Sequence, residues 1–261
     1  MAPALGKTAW LEMPAGEGVT YDDGVQIWSV TASGYERNYT IAYDTHNYTT
    51  NWVAYPLNSS HMGSLARPGS WSYDPNISSN YQVNLCSSSY SSTYSRGHLI
   101  PNASRNGIKE LQLQTFYVTN SVPQIQDKFN GTIWVALEGA LQSVAESEEI
   151  YIVTGTALQT VGGNEAISYT TAKDDTKNVP VPNYFYKVVL KVNKSGSTVT
   201  SASTIGFWFQ NKEYADSNYA AYAMSVNEIE AKTGMDFFVN LPDSVENTAE
   251  SNTSWTSFQS F

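Results

Sequence analysis

The stretch YSRGHLIPNASR, residues 94–105, breaks a long run of small polar residues. The ten residues before it, NLCSSSYSST at 84–93, carry no charge. Arg96, Gly97 and His98 then stand together, followed by the apolar pair Leu99–Ile100 and a proline. His98 is one of 3 histidines in the chain. A histidine in such a place is more often an ordinary surface or core residue, so its meaning depends on what lies downstream.

Downstream, polar residues recur at helical spacing in the stretch FYVTNSVPQIQDKFNGTIWVALE. A helix is predicted from near Asn130, because the apolar residues that follow repeat every three or four positions. Residues four apart advance by only about 40° around a helix. Asn130, Trp134 and Glu138 therefore share one side. Two polar groups flanking a large aromatic are unusual for a stripe that faces only a core.

This stripe could hold a hydrated metal ion. Asn130 and Glu138 are separated by roughly 12 Å along an ideal helix axis, so an ion on Asn130 would meet Glu138 only through a water. Mg²⁺ suits such a site because it dehydrates reluctantly and often takes one or two protein oxygens together with oxygens of a substrate phosphate. A nearby histidine could take a proton from water. The set fits phosphodiester hydrolysis, but structural roles stay open: Asn130 could cap the helix and Glu138 could be a solvated residue.

Composition limits the class of protein. At 261 residues the chain can bury one large core or at most two, and 41% hydrophobic content predicts a folded globular protein. It has no run of 18 apolar residues, so no membrane span is predicted. The single Cys86 excludes an internal disulfide. The first residues lack the features of a signal peptide, and the Ser-, Thr-, Asn- and Tyr-rich composition favours an exported protein (secreted, periplasmic or at the cell surface) whose signal was removed.

The net charge of −10 argues against a broad electrostatic grip on nucleic acid. Residues 61–130 nevertheless carry five cations against three anions. Any anion that this protein handles is therefore expected to bind locally, within that part of the chain.

Strand-like runs and two helices predict an α+β fold. The runs rich in β-branched and aromatic residues lie at 25–30, 39–43, 51–57, 149–155, 184–192 and 204–210. KSGS at 194–197 predicts a hairpin turn, and the low-complexity stretch 78–95 predicts a surface loop. A second helix is predicted from the capping box of Ser225 and Glu228 to Gly234.

The ordered motifs resemble those of the DNA/RNA non-specific endonuclease family, the ββα-metal nucleases. Where that family has D-R-G-H, then apolar residues and a proline, this chain has SRGHLIP at 95–101. The family's N-x-x-P-Q segment is matched by NSVPQ at 120–124, followed by Asn130, Trp134 and Glu138. Further similarity lies in NWVAYPL, VPNYFYKVVL, GFWFQN and IEAKTGMDFFVNLPD, so the resemblance covers roughly 25–246.

The resemblance implies a ββα-metal nuclease fold, with a central, mostly antiparallel sheet flanked by helices, in one domain over 1–261. It implies a Mg²⁺-dependent, sugar-non-specific endonuclease, with Mn²⁺ as a substitute ion, DNA and RNA as substrates and 5′-phosphorylated products. His98 would be the general base and Asn130 the direct metal ligand. Glu138 would act on metal-bound waters. It leaves open whether the chain forms a homodimer.

The resemblance also implies supporting roles for several residues. Asn120 would support the site through hydrogen bonds. Arg96 would fix the motif's geometry or contact phosphate, and Arg67, in ARPGSWSYDP, would stabilise charge on the phosphoryl group.

Two positions depart from the family pattern. Ser95 replaces the family's aspartate and supplies no charge beside Asn130. Gln142 stands where many members have an arginine one helical turn after Glu138. Both changes predict a nuclease that is slower or needs more metal.

Two further hypotheses stay open. One is a homologue that has lost catalysis and binds nucleic acid or another polyanion. The other is an exported protein whose tyrosine- and tryptophan-rich face binds glycans or a partner, without phosphate chemistry.

Overall fold

A computed structural model describes residues 10–15, 24–91 and 94–261. The strands are β1 (Val25–Ala32), β2 (Tyr35–Asp44), β3 (Thr49–Leu57), β4 (Tyr94–His98), β5 (Ser121–Ile125), β6 (Ile150–Ala157), β7 (Ser168–Thr170), β8 (Val179–Val181), β9 (Tyr184–Ser195), β10 (Thr198–Gln210) and β11 (Ala223–Met224). The α-helices are α1 (Lys109–Gln114), α2 (Val135–Ala145), α3 (Val226–Thr233), α4 (Asp243–Ala249) and α5 (Trp255–Gln259).

Seven strands form one antiparallel sheet in the order β1-β2-β3-β6-β9-β10-β11. The six predicted strands correspond to β1, β2, β3, β6, β9 and β10, which confirms them and the α+β class. The predicted hairpin joins β9 to β10, where Ser195 pairs with Thr198. Gly196 has a φ of 62° there, which a glycine adopts without strain.

Side chains alternate along each strand, so the sheet has two faces, and helices cover both of them. We call the face beneath α2 the front face. Its buried cluster joins strand and helix side chains, among them Tyr55, Phe185, Val189, Ile133, Leu137 and Leu141. The back face forms a second cluster with α3, among them Trp52, Val153, Tyr186, Val188, Val226 and Ile229. The front face therefore supports the helix on which Asn130 and Glu138 are carried.

A ββα unit lies over the front face. Strands β4 and β5 pair antiparallel, with Ser95 opposite Gln124. Gly97 lies so close to β5 that an added Cβ would be 2.5 Å from the Gln124 side chain, so the position requires glycine. The chain then leaves helical geometry at Asp127 (ψ 130°) and Lys128 (φ 58°) and winds into α2 through a wide π-helical turn. This confirms the helix predicted from near Asn130.

The loop prediction for 78–95 is wrong for several of its residues. Val83, Leu85 and Tyr90 are buried in a third cluster with Trp71 and Phe116. They are spaced irregularly, without a helical or strand period, so the sequence pattern did not show their burial. Residues 92 and 93 lie outside the described part of the chain.

The second predicted helix is confirmed as α3. The Ser225 hydroxyl accepts from the Glu228 backbone N–H, and the Glu228 carboxylate accepts from the Ser225 backbone N–H. Gly234 ends the helix in a left-handed conformation, with a φ of 70°. None of the helices in the described ranges combines the length and apolar character needed to cross a bilayer.

Candidate active site

A cavity of about 540 Å³ opens between β4, the segment around residues 67–71 and the start of α2. Six of the seven predicted site residues line it: Arg67, Ser95, Arg96, His98, Asn130 and Glu138. The seventh, Asn120, does not. Folding thus brings together side chains that are up to 71 positions apart in the sequence, from Arg67 to Glu138.

Hydrogen bonds from its amide nitrogen fix the side chain of Asn130. Its Nδ2 donates to the Ser95 hydroxyl at 3.0 Å and lies 3.3 Å from Gln126 Oε1. The Ser95 hydroxyl in turn donates to the Gln124 carbonyl at 3.1 Å. These bonds occupy the donor side of the amide and leave its carbonyl oxygen for a ligand. Asn130 therefore lines the cavity from within the helical segment, whose N-cap is Ile125.

His98, at the end of β4, packs against two aromatic rings that also contact each other, with their centres 5.2 Å apart. Its ring centre lies 4.6 Å from that of Trp71 and 5.0 Å from that of Phe116. A hydrogen bond ties it to the Arg96 backbone. Nε2 is buried, with no hydrogen-bond partner in the described part of the chain. Burial, reinforced by the charges of Arg67 and Arg96, lowers the pKa of His98 to about 3. The imidazole is therefore neutral near pH 7.

Two arginines lie over these rings, one on each. The Arg67 guanidinium is exposed and its carbon lies 4.9 Å from the Phe116 ring centre. The Arg96 guanidinium lies 5.0 Å from the Trp71 ring centre and donates to the carbonyls of Leu85 (2.9 Å) and Ser88 (3.2 Å). Arg96 therefore holds the preceding loop in place, whereas Arg67 can turn towards an anion.

Glu138 also lines the cavity, and its side chain is 12% exposed. Burial raises the pKa of its carboxyl, and the charge of Lys187 opposes that rise. The Trp134 indole N–H lies beside the carboxylate and also lowers its pKa, without reaching full hydrogen-bond geometry. Trp134 itself is buried in the front-face core.

Asn120 supports the site from beneath. It is fully buried and accepts from the Ile100 backbone N–H at 3.0 Å. Its amide donates to the carbonyls of Ile100 and Thr115, both at 2.9 Å. These bonds fix the chain just after His98. Gln142 donates to the Ser104 hydroxyl at 3.3 Å and is not among the residues that line the cavity.

The donor set fits a hydrated hard cation. The Asn130 amide and the Glu138 carboxylate both line the cavity, and oxygen is the donor that such ions prefer. No three His, Cys, Asp or Glu side chains converge as ligands anywhere in the described ranges. An ion at this place would therefore take most of its ligands from water and substrate.

Sequence reasoning missed four contributors to the site. Trp71 and Phe116 come from separate loops, and Gln126 precedes the helix. Only Lys187 left a signal: it is a charged residue at a position of YFYKVVLKV where the two-residue alternation predicts burial.

A sequence model described as DNA/RNA non-specific endonuclease matches residues 19–244. The chain belongs to the DNA/RNA non-specific endonuclease family. This confirms the predicted resemblance, and the protein is an enzyme of the nuclease class. The family is metal-dependent in general.

Curated relatives are nucleases. A nuclease of Nostoc sp. is 30% identical over 222 residues, which are 83% of this chain and 76% of that protein. The mitochondrial nuclease EXOG of Homo sapiens is 30% identical over 218 residues, which are 78% of this chain and 56% of that protein. A mitochondrial nuclease 1 of Schizosaccharomyces pombe is 30% identical over 175 residues, covering 65% of this chain and 53% of that protein.

The fold likeness is equally broad. A chain in the crystal structure of the EndoG/EndoGI complex superposes with a TM-score of 0.69 at 20% identity, covering 87% of this chain and 91% of that chain. At this identity the likeness supports the ββα-metal nuclease fold of this family member.

Proposed function

We propose that this protein is a Mg²⁺-dependent, sugar-non-specific endonuclease that hydrolyses DNA and RNA to 5′-phosphorylated products. One observation carries the proposal. A single cavity is lined by a neutral imidazole with an unpartnered Nε2, an amide held by its donor side and a carboxylate.

His98 takes the proton of the attacking water on Nε2. The imidazole is neutral near pH 7, so Nε2 has a lone pair for the proton, and the bond to the Arg96 backbone together with the two rings fixes its direction. Arg67 stabilises the negative charge that builds up on the phosphoryl oxygens, because it is the exposed guanidinium on this cavity.

Asn130 and Glu138 are the residues that would hold the ion, Glu138 through water. Mg²⁺, when bound, supplies Lewis-acid stabilisation to the phosphoryl group and to the leaving 3′-oxygen. Mn²⁺ takes the same oxygen donors and would serve as a substitute.

With Ser95 in the place of the family's aspartate, the site is expected to bind a metal ion more weakly. The serine orients Asn130 through its hydroxyl but adds no negative charge. The enzyme is therefore expected to need more Mg²⁺. The same observation favours a second candidate function, a nucleic-acid-binding homologue with impaired catalysis. The glycan-binding hypothesis rests on composition alone.

Mapping the product ends tests the proposed reaction. Single-stranded and duplex DNA and RNA are digested with Mg²⁺, and the fragments are treated with polynucleotide kinase before and after phosphatase. Labelling only after phosphatase treatment indicates 5′-phosphates and supports the proposal. Labelling without phosphatase treatment contradicts the product assignment, and binding without cleavage supports the second candidate.

Export stays a proposal based on composition. Several relatives are named as mitochondrial nucleases, which does not favour it. A homodimer is likewise a proposal, and a measurement of the mass in solution tests it.

A further inference from the structure

Lys187 lies in the middle of the sheet, on β9, and is fully buried. It belongs to the front face, between Phe185 and Val189 in the alternation of that strand. Burying an ammonium group costs several kcal/mol unless other groups compensate it. A lysine in such a place therefore calls for an account of what it binds.

Three groups surround the ammonium. Nζ donates to the Thr154 hydroxyl of the neighbouring strand β6 at 2.7 Å. It lies 4.5 Å from the ring centre of Trp134 and 4.0 Å from Glu138 Oε1. Thr154 is also hydrogen-bonded to the hydroxyl of Tyr55, on β3. A buried polar chain thus runs across three strands and ends on the carboxylate that lines the cavity.

Glu138 depends on this chain for its compensating charge. The Lys187 ammonium is the only ion-pair partner of Glu138 within 4.0 Å in the described ranges. Arg67, which also acts on Glu138 electrostatically, contributes less than Lys187. Glu138 thus has the Lys187 ammonium at Oε1 and also lines the cavity.

We propose that Lys187 is a positioning residue, which fixes the Glu138 carboxylate from behind and thereby sets the affinity of the metal site. It touches neither substrate nor ion and acts through Glu138 alone. This inference rests on the proposed function, since it assigns Lys187 to the same site.

The alternative is that Lys187 only fills space in the core, and the chain offers a matched control. Lys191 lies four residues further along β9, on the same face, and is 1% exposed. Its Nζ lies 3.1 Å from Glu148 and 5.1 Å from the Phe258 ring centre, away from the cavity. Lys187→Met and Lys191→Met each remove one buried ammonium and keep most of the side-chain volume.

The experiment is a double-mutant cycle read by Mn²⁺ binding. Electron paramagnetic resonance measures the affinity for Mn²⁺ alone in the wild type, Lys187→Met, Lys191→Met, Glu138→Gln and the Lys187→Met/Glu138→Gln double variant. Thermal melting confirms that each variant folds. The Mg²⁺ concentration for half-maximal plasmid cleavage gives a second readout.

We expect Lys187→Met to weaken Mn²⁺ binding roughly tenfold, the effect typical of losing a residue that orients a ligand. Lys191→Met should bind as the wild type does. In the Glu138→Gln background, Lys187→Met should add no further loss, because the neutral amide needs no counter-charge. If Lys187→Met does not fold, Thr154→Val replaces it. That variant removes only the hydroxyl that holds Nζ, and a severalfold loss confined to the Glu138 background is expected.

Two results would overturn the inference: wild-type Mn²⁺ affinity in a folded Lys187→Met variant, or an equal loss in the Glu138→Gln background. In both cases a wild type that still cleaves nucleic acid leaves the proposed function standing. A wild type that neither binds Mn²⁺ nor cleaves would overturn the proposed function and this inference together.

Discussion

The Asn130 amide donates to the Ser95 hydroxyl at 3.0 Å, and this bond joins the π-helical turn before α2 to strand β4. Its geometry is that of an orienting contact: the donor side of the amide is occupied and the oxygen is left for the cavity. A serine provides this orientation without charge. Position 95 therefore separates two effects, the direction of the amide and the local negative charge, that an aspartate combines.

Ser95→Asp is expected to lower the Mg²⁺ concentration needed for half-maximal cleavage. One added charge near the ion is worth on the order of 1 kcal/mol in a solvated site, which corresponds to roughly a fivefold change. The measurement is a Mg²⁺ titration of plasmid cleavage. Ser197→Asp, on the exposed β9–β10 turn, controls for added charge in general. Identical titration curves for wild type and Ser95→Asp would contradict the role of position 95.

The two arginines should respond differently to substitution. Arg67→Ala is expected to lower kcat by about 100-fold with an unchanged melting temperature, because an exposed cation is lost from the transition state. Arg96→Ala, by contrast, should lower the free energy of unfolding by about 1–3 kcal/mol, since it removes two hydrogen bonds from a charged donor. Kinetics and thermal melting on both variants check this. Equal melting temperatures for the two variants would contradict the division of roles.

Gly97 and Gly139 form a pair of opposite predictions. An added Cβ at Gly97 would meet the Gln124 side chain at 2.5 Å, so Gly97→Ala is expected to destabilise by about 1–3 kcal/mol. A Cβ at Gly139 meets nothing within 4 Å, so Gly139→Ala in helix α2 should stabilise by about 0.5–1 kcal/mol. Urea unfolding measures both. Equal effects of the two substitutions would show that the β4–β5 contact tolerates a side chain.

Six of the seven strands of the main sheet and the helices α2 and α3 could be predicted from the sequence, because alternation, helical periodicity and capping are local signals. The membership of His98, Asn130 and Glu138 in one site came from ordered motifs, since spacing alone left structural roles open. The contacts of His98 with Trp71 and Phe116 could not be predicted, because these two rings reach it from separate loops. The partner of Lys187 was equally hidden, since Glu138 lies 49 residues earlier in the chain.

The raised pKa of the buried Glu250 carboxyl makes the stability of the fold depend on pH. Its side chain is 5% exposed and Oε1 has no hydrogen-bond partner in the described part of the chain. Burial, followed by the charges of Glu230, Glu246 and Asp236, raises its pKa to about 9. A carboxyl whose pKa is raised in the folded state stabilises fully below its unfolded pKa of 4.5, and this contribution is lost as the pH rises towards 9.

Glu250→Gln should therefore increase the free energy of unfolding at pH 8 by at least about 1 kcal/mol and have little effect at pH 4.5. Urea unfolding at several pH values measures this. Glu213→Gln, which removes an exposed carboxylate that pairs with Lys128, is the control and should show no such trend. A stability gain for Glu250→Gln that is the same at every pH would contradict the assignment.

Cleavage of supercoiled plasmid DNA and total RNA by the wild type and by His98→Ala, each with Mg²⁺ and with EDTA, tests the central claim most directly. We predict cleavage that requires the metal and falls by about 10²–10⁴-fold in a folded His98→Ala variant. Equal cleavage by the variant would contradict the role of His98. Absence of wild-type cleavage at saturating Mg²⁺ and Mn²⁺, with nucleic acid still bound in EDTA, would instead establish a binding protein built on a nuclease fold.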